Sequence, residues 1–100
     1  MKYHKLVRDG IPDKIRANNE PFKSHVADKA EYWAKLKLKL GEEVAEFNSS
    51  ETIDELADLM EVMLSILKER EWSVEQLEQV RIQKYKKLGG FNKRIILDES

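Results

Sequence analysis

GEEVAEFNSSETIDELAD, residues 41–58, sets Glu42, Glu43, Glu46, Glu51, Asp54, Glu55 and Asp58 between two stretches whose apolar residues recur at helical spacing. Upstream, Trp33, Leu36, Leu40, Val44 and Phe47 mark one helix face, which predicts a helix from a cap at Asp28 to about Phe47. Downstream, Ile53, Leu56, Met60, Leu64 and Leu67 form one stripe, and Leu59, Val62, Met63 and Ile66 widen it. A helix over 51–70 with so broad an apolar face is expected to be central. Asn48, Ser49 and Ser50 should break the chain between the two, with Ser50 as the second cap. The two helices then form an antiparallel hairpin.

Working outward, Ser73 with Gln76 has the form of a capping box and opens a helix to about Leu88, expected as a third helix packed on the hairpin. Gly89-Gly90 is a natural stop, and Phe91 to Leu97 (FNKRIIL) reads as an extended tail whose apolar end must dock. Toward the N-terminus, Tyr3 to Arg8 could be extended. Asp9 is a plausible N-cap and Pro12 suits the first turn of a short helix to about Ala17, stopped by Asn18 and Asn19. Residues 20–26 read as a loop or short strand. The expected fold is all-α, one domain over 1–100, without internal repeats or linkers.

One hundred residues suffice for one modest core. The chain is 41% hydrophobic and 37% charged, the balance of a soluble globular protein. Its 18 basic and 19 acidic residues leave a net charge of −1, so no overall field holds it on a nucleic-acid polymer or an anionic membrane. The absence of cysteine excludes disulfides, thiolate metal sites and thiol catalysis. No signal-like apolar run opens the chain and no long apolar stretch follows, so a cytoplasmic location is expected.

At about 100° per residue, Glu43 lies roughly 50° from the centre of its apolar stripe, Glu46 on the same flank and Glu42 on the opposite side. A turn centred between Ser50 and Glu51 would set Glu43 opposite Asp58 and Glu46 opposite Glu55, on levels only about 4.5 Å apart. Four anions converging in a partly apolar setting must be neutralised by protons or a cation. A hard divalent ion suits them: Mg²⁺, with Mn²⁺ as a substitute, held by Glu43, Glu46, Glu55 and Asp58. Zn²⁺ fits poorly, because His4 and His25 lack partners at ligand spacing. A solvated hairpin accounts for the same residues, with acids at helix ends favouring the macrodipole and Lys39 pairing with Glu43.

The pattern E-E-x-x-E followed by E-x-x-D, here Glu42, Glu43, Glu46, Glu55 and Asp58, resembles the signature of the MazG-like all-α nucleotide pyrophosphohydrolases, a superfamily that includes phosphoribosyl-ATP pyrophosphohydrolase. KLVRDGIP (Lys5 to Pro12) and LGGFNKRIIL (Leu88 to Leu97) look like the flanks of a small single-domain branch. The resemblance implies Mg²⁺-dependent hydrolysis of a nucleoside triphosphate between its α and β phosphates, giving a monophosphate and pyrophosphate. Glu42 or Glu43 would help to orient or deprotonate the attacking water. It also implies a homodimer or homotetramer with sites near subunit contacts. Two departures stand out: the link between the acidic motifs is short, and Leu88 stands where this branch often has arginine.

Phosphoryl transfer needs cations on the developing charge, and Lys5, Arg8, Lys84, Lys87, Lys93 and Arg94 are the candidates. Lys84 and Lys87 also suit a helix C-terminus, and Lys93 with Arg94 also read as surface. Trp33, Trp72, Tyr32, Tyr85 and Phe91 could stack on a base but are more simply core. His4 and His25 read as solvent or loop residues. A phosphoribosyl-ATP pyrophosphohydrolase is the near alternative. A non-catalytic interaction module, binding a partner helix around Leu59, Val62 and Ile66, is the distant one.

Overall fold

The computed structural model describes residues 4–100, so Tyr3, where the extended N-terminal run was expected to begin, lies outside the described residues. Four helices and no strand occur among them: α1 (Ile11–Ala17), α2 (Lys29–Ser50), α3 (Ile53–Glu69) and α4 (Val74–Leu88). No helix is long and apolar enough to cross a membrane. The segment before α1 and residues 20–28 carry no regular structure.

The caps explain the boundaries. At α1 the expected cap moves by one: Gly10, not Asp9, is the N-cap, without a side-chain bond, and Pro12 lies in the first turn. Asn18 ends the helix, and Asn19 takes a left-handed conformation (φ 58°) that Asn tolerates well. Asp28 caps α2 as expected, its carboxylate accepting from the Glu31 backbone N–H at 2.9 Å. The break expected at Asn48 to Ser50 does not occur. The Ser50 hydroxyl donates to the Glu46 carbonyl at 3.1 Å, a bond compatible with continued helix.

Glu51 then turns left-handed (φ 55°) and Thr52, not Ser50, caps α3 by accepting from the Glu55 N–H at 3.4 Å. Thr52 has the advantage because Glu51 reverses the chain before it and frees its hydroxyl for the first turn. The hairpin link is therefore only Glu51 and Thr52. Ser73 and Gln76 close both halves of the capping box on α4.

Among the described residues, antiparallel α2 and α3 form the one substantial helix–helix interface. Its buried apolar side chains are Leu36, Val62 and Leu67, with Leu59, Leu64 and Ile66 half-buried. The Arg70 guanidinium lies 3.7 Å from the Trp33 ring centroid and ties the far ends together. The apolar face expected on α3 is thus divided. Val62 is buried, and Leu59 and Ile66 are half-buried. Ile53, Leu56, Met60 and Met63 face solvent.

The expected third packed helix is a correction. No residue of α4 is buried, and the tail beyond it is exposed throughout. Gly89 ends α4 at φ 80°, and Phe91 to Arg94 form a turn in which the Arg94 N–H donates to the Phe91 carbonyl at 3.0 Å. Among the described residues, the apolar end of the tail, Ile95 to Leu97, stays exposed. The radius of gyration is accordingly 17.8 Å, against about 13 Å for a compact domain of this length.

Candidate metal centre

Helix α2 presents Tyr32, Leu36, Lys39 and Glu43 in one row, and α3 presents Asp58, Glu61, Val62 and Ser65 in another; both line a groove of about 630 Å³. Leu6, Val7, Arg8 and Asp9 form its third wall. This N-terminal segment is strapped across the hairpin by ionic contacts. Lys5 Nζ donates to Glu42 at 2.9 Å, Arg8 Nη2 to Asp58 at 2.6 Å, and Lys35 Nζ to the His4 carbonyl at 2.6 Å.

Glu43, Glu55 and Asp58 converge at one end of the groove, each offering an oxygen within 4.8 Å of the others. Glu43 is only 5% exposed. Its Oε2, and Oε2 of Glu55, are buried without a hydrogen-bond partner. Such orphaned acceptors are unusual, because a buried polar atom normally finds a donor. Lys39 Nζ lies 3.5 Å from both Glu42 and Glu43 and offsets part of the charge. Glu46 stays exposed at the edge, outside the three-residue set but close enough to act on Glu55.

The electrostatics separate the carboxylates. Burial, then the neighbouring Glu46, pushes the Glu43 pKa up, with Asp58 adding to the shift and Lys39 opposing it. Glu55 is pushed up by desolvation and by Glu46, Asp58 and Glu43, although its place in the first turn of α3 favours its charge. Glu42 moves the other way. Its hydrogen bond with Lys5, assisted by Lys39, outweighs desolvation and holds its pKa down. An all-oxygen donor set with two orphaned buried oxygens fits a hard divalent cation, which could satisfy both and relieve the repulsion.

Of the expected phosphate ligands, Lys5 and Arg8 stand at this end, each already paired with a carboxylate. Lys84, Lys87, Lys93 and Arg94 do not line the groove; they lie on α4 and the exposed tail, because α4 leaves the hairpin. Tyr32 lines the groove, whereas Trp33 is occupied by Arg70 and by Lys37, whose Nζ is 5.6 Å from the ring centroid. His25 is exposed and pairs with Glu31 at 2.9 Å. Sequence reasoning missed Glu61, Ser65 and Lys68 as lining residues. Their spacing from Asp58 along one face of α3 was the available signal.

No family model matches the chain. An uncharacterized protein of Mycolicibacterium smegmatis (strain ATCC 700084 / mc(2)155) is 47% identical over 49 residues, covering 49% of this chain and 50% of that protein. The chain thus spans about half the length of the curated relative it matches. No solved structure matches it.

Proposed function

We propose that the chain is a Mg²⁺-dependent nucleotide pyrophosphohydrolase that cleaves between the α and β phosphates to release a nucleoside monophosphate and pyrophosphate. The observation that carries this reading is the pair of buried, partnerless oxygens on Glu43 and Glu55, gathered with Asp58 beside cationic side chains. The E-E-x-x-E and E-x-x-D resemblance supplies the choice of reaction. Glu43, Glu55 and Asp58 would hold the ion, with Glu46 at the open edge; Mn²⁺ would substitute. When bound, the ion supplies Lewis-acid polarisation of the phosphate and a more acidic water.

The protein's own groups divide the remaining work. Lys39 and Arg8 flank the carboxylates on two sides and would bind phosphate oxygens as charge develops on them. Glu42, held ionised by Lys5, would orient the attacking water; its lowered pKa makes it a weak proton acceptor while that pairing persists. Leu6, Val7, Leu36 and Val62 give the groove apolar surface that would exclude bulk water from one side of the nucleotide. The protein would work as a homodimer or homotetramer.

The test is a panel of ribo- and deoxynucleoside triphosphates and phosphoribosyl-ATP incubated with Mg²⁺ and resolved by ion-exchange chromatography. Monophosphate and pyrophosphate in equal amounts support the reading, and the preferred compound identifies the substrate. Orthophosphate as the primary product would place cleavage at another bond and refute it.

A further inference from the structure

The strap that walls the groove is held by little besides charge. Residues 4–9 have no regular structure, and of them only Leu6 is half-buried. Among the described residues, no backbone–backbone hydrogen bond joins this segment to either long helix. His4, whose carbonyl accepts from Lys35, is left-handed (φ 47°), a conformation unfavourable to a residue with a Cβ. The two ionic fastenings, Arg8 on Asp58 and Lys5 on Glu42, are partly exposed, a setting in which ion pairs are weak. Both end at the acidic centre. Asp58 is one of its three converging carboxylates, and Glu42 shares Lys39 with Glu43, the Nζ lying 3.5 Å from each. Asp9 and Gly10 form an open turn between strap and α1, with no atom within 4 Å of where a Gly10 Cβ would lie, so the segment has room to swing there.

We propose that residues 4–9 are a latch operated by a divalent cation: closed on the hairpin through Arg8–Asp58 and Lys5–Glu42, it opens when the cation takes the Asp58 carboxylate. Arg8 satisfies Asp58 but leaves Oε2 of Glu43 and of Glu55 without a donor, so a cation gains contacts that the closed latch does not supply. Once bound, it sets two positive charges beside the Arg8 guanidinium and repels it. The same ion beside Glu43 drives Lys39 toward Glu42, where Lys39 competes with Lys5 for the carboxylate. Both fastenings therefore weaken together, and half-buried Leu6 is the apolar anchor that remains. Opening exposes the strap side of the groove and frees Arg8 for an anionic ligand, so the cation binds before phosphate. This regulation of the centre rests on the cation-binding part of the function proposed above and not on hydrolysis.

The chain has no cysteine, so Leu6→Cys in the full chain places one thiol beneath the strap. Its reaction with a chromogenic disulfide reagent should be slow in chelator and about tenfold faster in saturating Mg²⁺, whereas KCl at matched ionic strength should leave the rate within about twofold. In the same background, Arg8→Gln and Asp58→Asn should react in chelator as fast as the parent does in Mg²⁺, and Mg²⁺ should add nothing to Asp58→Asn. Nitroxides on Val7→Cys with Leu38→Cys, the latter exposed on α2, give a second measurement: their separation by pulsed electron resonance should lengthen and broaden with Mg²⁺. Mg²⁺ that binds in calorimetric titration yet leaves both readouts unchanged, or slows the thiol, overturns the proposal. So does an equal acceleration by KCl, which would reduce the effect to screening, and so does an absence of Mg²⁺ binding. Opening by Mg²⁺ without nucleotide hydrolysis would count against the enzymatic reading alone. Hydrolysis with an unresponsive strap would count against the latch alone.

Discussion

Arg8 and Asp58, fifty positions apart in the chain, meet through a guanidinium–carboxylate contact of 2.6 Å that ties the N-terminal strap to the end of the groove where the carboxylates gather. Asp58 is also one of the three converging acids, so Arg8 occupies a position from which it opposes a bound cation. Both side chains are substantially exposed, and the pair should contribute no more than about 1 kcal/mol to stability. Arg8→Gln is therefore expected to melt within a few degrees of the parent and bind Mn²⁺ several-fold more tightly in calorimetric titration. Nucleotide turnover should fall at least tenfold. Unchanged Mn²⁺ affinity would mean that Arg8 and the cation do not compete.

Removing the buried charge should harm chemistry without harming the fold. Glu43→Gln keeps the side-chain volume and relieves repulsion from Glu46 and Asp58. The metal-free variant is expected to be at least as stable as the parent, because burial and like charge disfavour the ionised Glu43 carboxylate. Its Mg²⁺-dependent rise in melting temperature should vanish and turnover should drop at least a hundredfold. An interaction module would show neither loss, so the same variant separates the two classes of function.

The pH dependence of stability follows from the sign of each shift. Glu43 and Glu55 have folded pKa values above the ordinary 4.5, so the folded state takes up their protons more readily than the unfolded chain. Their destabilising contribution is full at pH above the raised values and disappears as pH falls through them toward 4.5. Glu42 is shifted down, and the stability it contributes above 4.5 is lost as pH falls through its folded value. In a chelator the melting temperature should thus rise from pH 8 toward mildly acidic pH and fall again at lower pH. The increment from Mg²⁺ should be larger at pH 8 than at pH 5, because protons and cation compete for the same oxygens. A chelated protein most stable at pH 8 would contradict the assigned directions.

The hairpin link offers a purely structural test. Thr52→Ala removes the side-chain cap of α3 and should cost about 1 kcal/mol in denaturant unfolding, whereas Ser50→Ala, which loses only a bond back along its own helix, should stay within about 0.5 kcal/mol. Glu51→Gly relieves a left-handed backbone and should stabilise, by about 1 kcal/mol. Equal losses at Ser50 and Thr52 would show that the cap lies elsewhere.

Much of this architecture was legible in the letters, because local rules act within one turn of helix. Asp28 and Ser73 cap where their spacing to Glu31 and Gln76 indicates, and the opposition of Glu43 with Asp58 follows from helical period and a short link. The link itself was misplaced, since both Ser50 and Thr52 can cap and only the left-handed Glu51 decides between them. The direction of α4 was not legible. An apolar stripe such as Val74, Leu77 and Leu88 states that something must cover it, without stating whether the cover lies in the same chain. The strap was hidden for a related reason: ionic contacts from Lys5 and Arg8 join residues tens of positions apart and leave no periodic trace.

The two-residue connection at Glu51 and Thr52 makes the acidic centre sensitive to length as well as to identity. An extra amino acid taken into the first turn of α3 would rotate every following side chain by about 100° and slide it by about 1.5 Å relative to that link. Asp58 and Glu55 would swing off the line they share with Glu43, although each of the three would still be present. The register of the first turn of α3 is thus as much a part of the acidic centre as the carboxylates themselves.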